Sequence, residues 1–156
     1  MKSSWVIQQG KLDDAVALLH STPEFQQMPS ADAIQQRIQN VPHLVLTAHD
    51  GEKTIGAKIG YLREGSFYSW LGAIHPAYRQ RGIAQALADE QENWAVAQGY
   101  NRIWMKTRNC FPEMLIMAVR RGFKITSMDI REDFQQNRII LEKNLNAILP
   151  NKEQAV

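Results

Sequence analysis

The chain has 156 residues, a length that fits one domain, and its 44% hydrophobic and 22% charged composition is that of an ordinary globular protein. A formal net charge of +2 with no block of like charge argues against a nucleic-acid surface, and a single cysteine excludes an internal disulfide framework. Met1-Lys2-Ser3-Ser4 leads into no apolar h-region and no run of about 18 apolar residues occurs, so the expected address is the cytoplasm, with no membrane partner.

Leu12 to His20 has helical spacing at Leu12, Val16 and Leu19, with acids in its first turn. Ser30 to Gln35 offers capping residues for a second helix reaching Ile38, with Asp32 and Gln35 in capping-box spacing. Leu44 to Ala48 reads as a strand, Asp50-Gly51 as a tight turn and Thr54 to Leu62 as the partner strand. Glu64-Gly65 turns the chain into the aromatic-rich strand Phe67 to Ile74, so three antiparallel strands are expected before His75-Pro76. A long helix follows over Ile83 to Gln98, with Ile83, Leu87 and Trp94 on its apolar face and Gly99 at its end. Arg102 to Thr107 is the next strand. Pro112 opens a short helix whose Met114, Leu115, Ala118 and Val119 are expected to face the core, and Gly122 stops it. Phe123 to Met128 and Arg138 to Glu142 read as a terminal strand pair, and residues 146–156 as a loose tail.

The most informative stretch is Arg79-Gln80-Arg81-Gly82-Ile83-Ala84, a basic, glycine-containing turn from which the long helix starts. Free N–H groups at a helix start carry partial positive charge, so a phosphate or pyrophosphate settles on them. Gly82 permits close approach to the backbone, and small Ala84 keeps the first helical turn low. Arg79 and Arg81 add full charges. These features read as a diphosphate cradle.

The order of elements and this motif resemble the GNAT superfamily of acyl-CoA-dependent N-acetyltransferases. The resemblance runs from about Leu44 to Leu145 and is strongest from Trp70 to Gly99. It is carried by three features in order: Leu71-Gly72-Ala73-Ile74 leading through a Pro-containing bend to Arg79-x-x-Gly82-x-Ala84, the Gly122-Phe123 pair after a short helix, and the closing Arg138 to Leu145 strand. It implies an α/β fold: a mixed, mostly antiparallel central sheet with helices on both faces, forming a single domain over residues 1–145. A V-shaped split is implied between the family's fourth and fifth strands, here the strand ending at Ile74 and the one at Ile103 to Thr107. Gly72 is a candidate bulge residue at the split. The implied activity is transfer of an acetyl group from acetyl-CoA to a primary amine of a small molecule or peptide. The implied cofactor contacts are backbone groups of Gly72, Ala73 and Ile74 on the pantetheine arm, as an added strand. Amides of Gln80, Arg81, Gly82, Ile83, Ala84 and Gln85 would hold the pyrophosphate, with Arg79 or Arg81 near its oxygens. Asn109 matches the family's Asn at the start of the helix after the fifth strand, or is a turn residue before Cys-Phe-Pro.

The family's proton carriers are not where the resemblance would put them. The strand before the turn presents Tyr68, Ser69 and Trp70 rather than a glutamate, and Ala118 stands in place of the usual tyrosine acid. Substitutes are Tyr68, Glu64, Glu24 or a water chain. Tyr68 is the best placed of these, although a cross-strand aromatic role suits it equally. The departures motivate an alternative, a non-catalytic module that binds or senses acyl-CoA. His20, His43, His49 and His75 have no metal-ligand spacing, so no metal is expected. Gly51 to Lys58 lacks the Gly-Lys-Ser/Thr end of a phosphate loop and is strand sequence. Cys110 has no histidine placed to make it a nucleophile. Glu24, Phe25 and Met28 suggest an acceptor wall suited to a cationic amine or a peptide end. Met114, Ile116 and Met117 make the short helix apolar nearly all round, which points to a homodimer.

Overall fold

Turn chemistry divides the chain much as its sequence indicates. The structure, a computed structural model, describes residues 4–25 and 27–145, so the tail expected over 146–156 lies outside it. In chain order the elements are β1 (Trp5–Gln9), α1 (Leu12–Ser21), α2 (Ala31–Ile38), β2 (His43–Asp50), β3 (Lys53–Arg63), β4 (Ser66–Ile74), α3 (Ile83–Ala97), β5 (Arg102–Arg108), α4 (Pro112–Arg120), β6 (Lys124–Asp129) and β7 (Arg138–Asn144). The strands form one seven-stranded sheet in the order β1-β2-β3-β4-β5-β7-β6. Pairing is antiparallel at β1/β2, β2/β3, β5/β7 and β6/β7, and parallel at β4/β5. This is the expected mixed, mostly antiparallel sheet.

Two local expectations are corrected. β1 precedes the three strands that were foreseen, pairing Trp5 with Asp50 and Gln9 with Leu46. Only Trp5 and Ile7 of this strand are partly covered, and two of its five residues are glutamine, so it lacks the alternating apolar pattern that marks a strand. The cap of α2 is Ser30, whose Oγ accepts from Ala33 N at 3.1 Å, rather than a box starting at Asp32.

The chain divides into two compact units, one with described residues 4–25, 27–62 and 70–94, the other with 63–69 and 95–145. In the first, Leu44, Leu46, Ala48, Ile55, Ala57 and Ile59 of β2 and β3 are buried, as are Ala15, Val16, Leu18 and Leu19 of α1 and Ile34 and Ile38 of α2. Helices cover both faces of β3. Gly56 and Tyr61 lie an odd number of residues apart and so point to opposite sides. On the Gly56 side sits α3, close enough that a Cβ on Gly56 would stand 3.1 Å from Leu87 Cδ1 and 3.2 Å from both Ile83 Cγ2 and Ile74 Cδ1. On the Tyr61 side sits α2, where Arg37 Nη1 donates to Tyr61 Oη at 3.4 Å.

In the second unit, Phe67, Ile103, Ile139, Leu141 and Leu145 are buried, and Phe67 packs on Tyr100 with ring centroids 5.4 Å apart. Gly122, at φ +97°, ends α4 and lets Phe123 N reach Ala118 O at 3.0 Å. Of the α4 residues expected to face the core, Ala118 is buried and Leu115 half-buried, while Met114 and Val119 are exposed. Helical spacing identifies an apolar face but does not say what covers it.

The missing side chain at Gly56 is therefore what seats the first turns of α3. Gly56→Val should overpack this contact and lower stability by about 1–3 kcal/mol, read as a fall in urea midpoint with an unchanged m-value. An unchanged midpoint would mean that α3 is not held there.

Candidate functional site

The parallel ladder between β4 and β5 has three pairs, Phe67 with Ile103, Tyr68 with Trp104 and Ser69 with Met105. It ends at the point where a split is expected, and β4 itself runs on to Ile74. A Cβ on Gly72 would stand 3.4 Å from the Ala57 carbonyl oxygen, an ordinary contact, so this glycine is not required by space. His75 N then donates to Ile55 O at 2.8 Å, closing the strand against β3.

A single 3-10 turn, Pro76–Tyr78, carries the chain out of β4, with His75 Nδ1 accepting from Ala77 N at 3.1 Å. Gln80 at φ +62° and Gly82 at φ +83° then take left-handed conformations. α3 begins immediately after, at Ile83. Its entry therefore comes in at an angle that leaves the amides of Gln80, Arg81, Gly82, Ile83 and Ala84 without an acceptor among the described residues. Residues 79–82 are exposed, while Ile83 beneath them is 1% exposed. Exposed free amides on a buried helix footing make an anion seat with little left to rearrange.

The two arginines of this turn have different jobs. Arg79 folds back: its Nε donates to Ile74 O at 3.2 Å and its Nη2 to Glu24 Oε2 at 3.0 Å. It thus ties the α1–α2 connection to the end of β4, and the Arg79 guanidinium holds the Glu24 carboxyl below its ordinary value. Arg81 is stacked on Tyr78, with its guanidinium carbon 5.0 Å from the ring centroid. Tyr78 Oη donates to Asp50 Oδ2 at 2.7 Å, and Ser4 Oγ donates to Asp50 Oδ1 at 3.1 Å. The Tyr78 hydrogen bond, followed by that of Ser4 and the charges of Arg81 and Lys53, lowers the Asp50 carboxyl, while the same bond to Asp50 raises the Tyr78 phenol. Nothing in the sequence singles out Asp50 or Tyr78, because the contact spans the interval from the β2–β3 turn to the 3-10 turn.

Tyr68 is 5% exposed and stacks on Trp104 with centroids 4.3 Å apart and planes 28° apart, the cross-strand aromatic pair that its sequence position allows. Arg63 and Lys106 lie against the same two rings. Asn109 Nδ2 donates to Phe134 O at 2.8 Å and Cys110 N to Gln135 O at 3.0 Å, so the segment before α4 is laced to the chain before β7. A recess of about 370 Å³ lies elsewhere in the first unit, lined among others by Gly10, Gln35, Ile38, His43 and Val45, and includes none of the expected site residues. Among the described residues no three His, Cys, Asp or Glu side chains converge, and no helix is long and apolar enough to cross a membrane.

Residues 12–123 match the acetyltransferase (GNAT) family. Several solved structures share the fold. The ribosomal-protein-S18-alanine N-acetyltransferase from Escherichia coli is similar at 14% identity and a TM-score of 0.79, over 95% of this chain and 97% of that one. The IAA acetyltransferase from Bacillus cereus is similar at 20% identity and a TM-score of 0.70, over 90% and 99%. An aminoglycoside 6'-N-acetyltransferase complexed with coenzyme A is similar at 14% identity and a TM-score of 0.73, over 94% and 98%.

The Glu24 to Arg79 brace is largely exposed, so Glu24→Gln should cost less than about 1 kcal/mol at neutral pH. Because the folded-state carboxyl lies below its ordinary 4.5, its contribution is full above pH 4.5 and is lost as pH falls through the lowered value. Urea midpoints of wild type and variant should therefore differ at pH 7 and converge in acid. A difference of equal size at both ends of the pH range would remove the ion pair as its cause.

Proposed function

Since the chain belongs to the acetyltransferase (GNAT) family, we propose that it transfers an acetyl group from acetyl-CoA to a primary amine of a small molecule or peptide. The observation that carries the reading is the row of amides from Gln80 to Ala84 at the start of α3, which have no acceptor among the described residues. These amides, with that of Gln85, hold the pyrophosphate. Arg81, presented on Tyr78, reaches its oxygens, whereas Arg79 serves as a brace beneath the turn. The backbone of Gly72, Ala73 and Ile74, beyond the last β4/β5 pair, takes the pantetheine arm as an added strand. Asn109 takes part in the same cofactor contact through the segment before α4.

When bound, acetyl-CoA supplies a thioester whose carbonyl carbon the neutral amine attacks, so that a C–N bond forms, the C–S bond breaks and free CoA thiol is released. This chain's task is to orient the two reactants and handle one proton. Tyr68 is the group assigned to that proton, because it lies within the three-pair ladder and no carboxylate occupies β4. The alternative is a non-catalytic acyl-CoA module, which is favoured by the small, 3% exposed Ala118 where the family's acid would be.

Acetyl-CoA at millimolar concentration should raise the melting temperature, and Arg81→Glu should reduce the shift by most of its size; no shift at all would remove the acetyl-transfer reading. Release of free thiol in an amine panel, above the hydrolysis background, disposes of the binding-module alternative. Tyr68→Phe keeps the aromatic stack, so it should leave the acetyl-CoA shift intact while lowering kcat by about a hundredfold, the lower range for a lost general acid or base. An unchanged kcat would return Tyr68 to a packing role.

A further inference from the structure

Arg63 ends β3 and Lys106 is the first β5 residue beyond Met105, whose pairing with Ser69 is the last of the β4/β5 ladder. Both cations rest on one aromatic pair. The Arg63 guanidinium carbon lies 5.2 Å from the Tyr68 centroid and 5.6 Å from that of Trp104, and Lys106 Nζ lies 6.0 Å and 5.7 Å from the same rings. Neither has an ion-pair partner among the described residues. Two of the acids nearby are committed to other bases, and the third, Glu64, acts on Lys106 only as a weaker field than its burial and the neighbouring cations. Asp129 is bridged to Arg131 at 2.7 Å, Glu142, opposite Trp104 in register, is held by Arg102 at 3.6 Å, and Glu64 sits in the left-handed β3–β4 turn.

A single cation on an aromatic face stabilises a fold, but two half-buried cations on one stack repel each other. Burial first, and then Arg63 and Arg138, push the Lys106 ammonium below its ordinary value, against weaker opposite pulls from Glu64 and Asp129. A guanidinium held against a ring makes no hydrogen bond to it, and its N–H groups match a carboxylate in bidentate fashion. An arrangement unfavourable to the empty protein becomes favourable when an anion neutralises it.

We infer that Arg63 and Lys106, mounted on the Tyr68 and Trp104 rings, bind a carboxylate carried by the acceptor, which makes the acceptor an amine that also bears a carboxylate. The acceptor role rests on the acetyl-transfer reading; the anion site itself rests on the cluster alone. The rings beside it provide an apolar wall for the acceptor's carbon skeleton, and Trp104 is fixed in place by Nε1 donating to Arg63 O at 3.3 Å.

Acetic anhydride labelling of Lys106, followed by mass spectrometry of its peptide, tests this without requiring turnover. Hippurate, an aromatic carboxylate, should protect Lys106 saturably, while hippuramide, its uncharged amide, should not. Arg63→Met should weaken the protection by about tenfold, the loss of one charge-assisted hydrogen-bonded contact, and Arg63→Lys by less. Equal protection by the amide, none by either compound, or stronger protection by phenyl phosphate overturns the carboxylate site. In the thiol-release assay, amino acids should outpace their carboxamides, and equal rates overturn the acceptor assignment. A melting shift with acetyl-CoA but no protection by hippurate sinks this inference alone. Protection without any acetyl-CoA shift sinks the acetyl-transfer reading and leaves an anion site of another use.

Discussion

Everything at this site depends on the left-handed backbone at Gln80 and Gly82. An α-helix entered by a straight run of chain finds caps for its first amides in that chain, either side-chain oxygens or the preceding carbonyls. Here two left-handed residues swing the incoming chain aside, and among the described residues the amides from Gln80 to Ala84 have no acceptor. Leaving several amides unpaired is tolerable because residues 79–82 are exposed to water. It becomes useful because an anion can replace that water while the helix below stays fixed on Gly56 through Ile83 and Leu87.

Charge around the turn is distributed so that the seat is both held and attractive. Arg79 spends its guanidinium on Glu24 and on the last carbonyl of β4, which joins the α1–α2 connection to the strand end. Among the described residues no carboxylate is bonded directly to Arg81; its charge acts on Asp50, which Tyr78 holds by a hydrogen bond. That arrangement positions the side chain without neutralising it. A positive field at the mouth of the amide row is the result, with a rigid ring behind it.

The second unit handles charge differently. On the Tyr68 and Trp104 rings two cations share one apolar support, and two of the acids around them, Asp129 and Glu142, are paired with other bases. The two clusters follow one rule. A cation on an aromatic ring is oriented yet still available, whereas a cation in an ion pair is consumed as structure.

Elements whose physics is local were legible from residue order. Helix spacing in α1 and α3, the paired left-handed Glu64-Gly65 turn, and the Arg-x-x-Gly-x-Ala start of α3 each depend on neighbours within a few positions, so the sequence determined them and, with them, the family. β1 escaped because its side chains carry little apolar alternation, and its strand character comes from backbone pairing with β2. The exposure of Met114 and Val119 escaped because periodicity names a face without its cover. Only tertiary structure decided which arginine braces and which presents, that Tyr78 leans on Asp50, and that Arg63 and Lys106 meet on one aromatic stack. Those outcomes require residues far apart in the chain to be brought within a few ångströms, and side-chain chemistry alone does not specify which distant partner each will find.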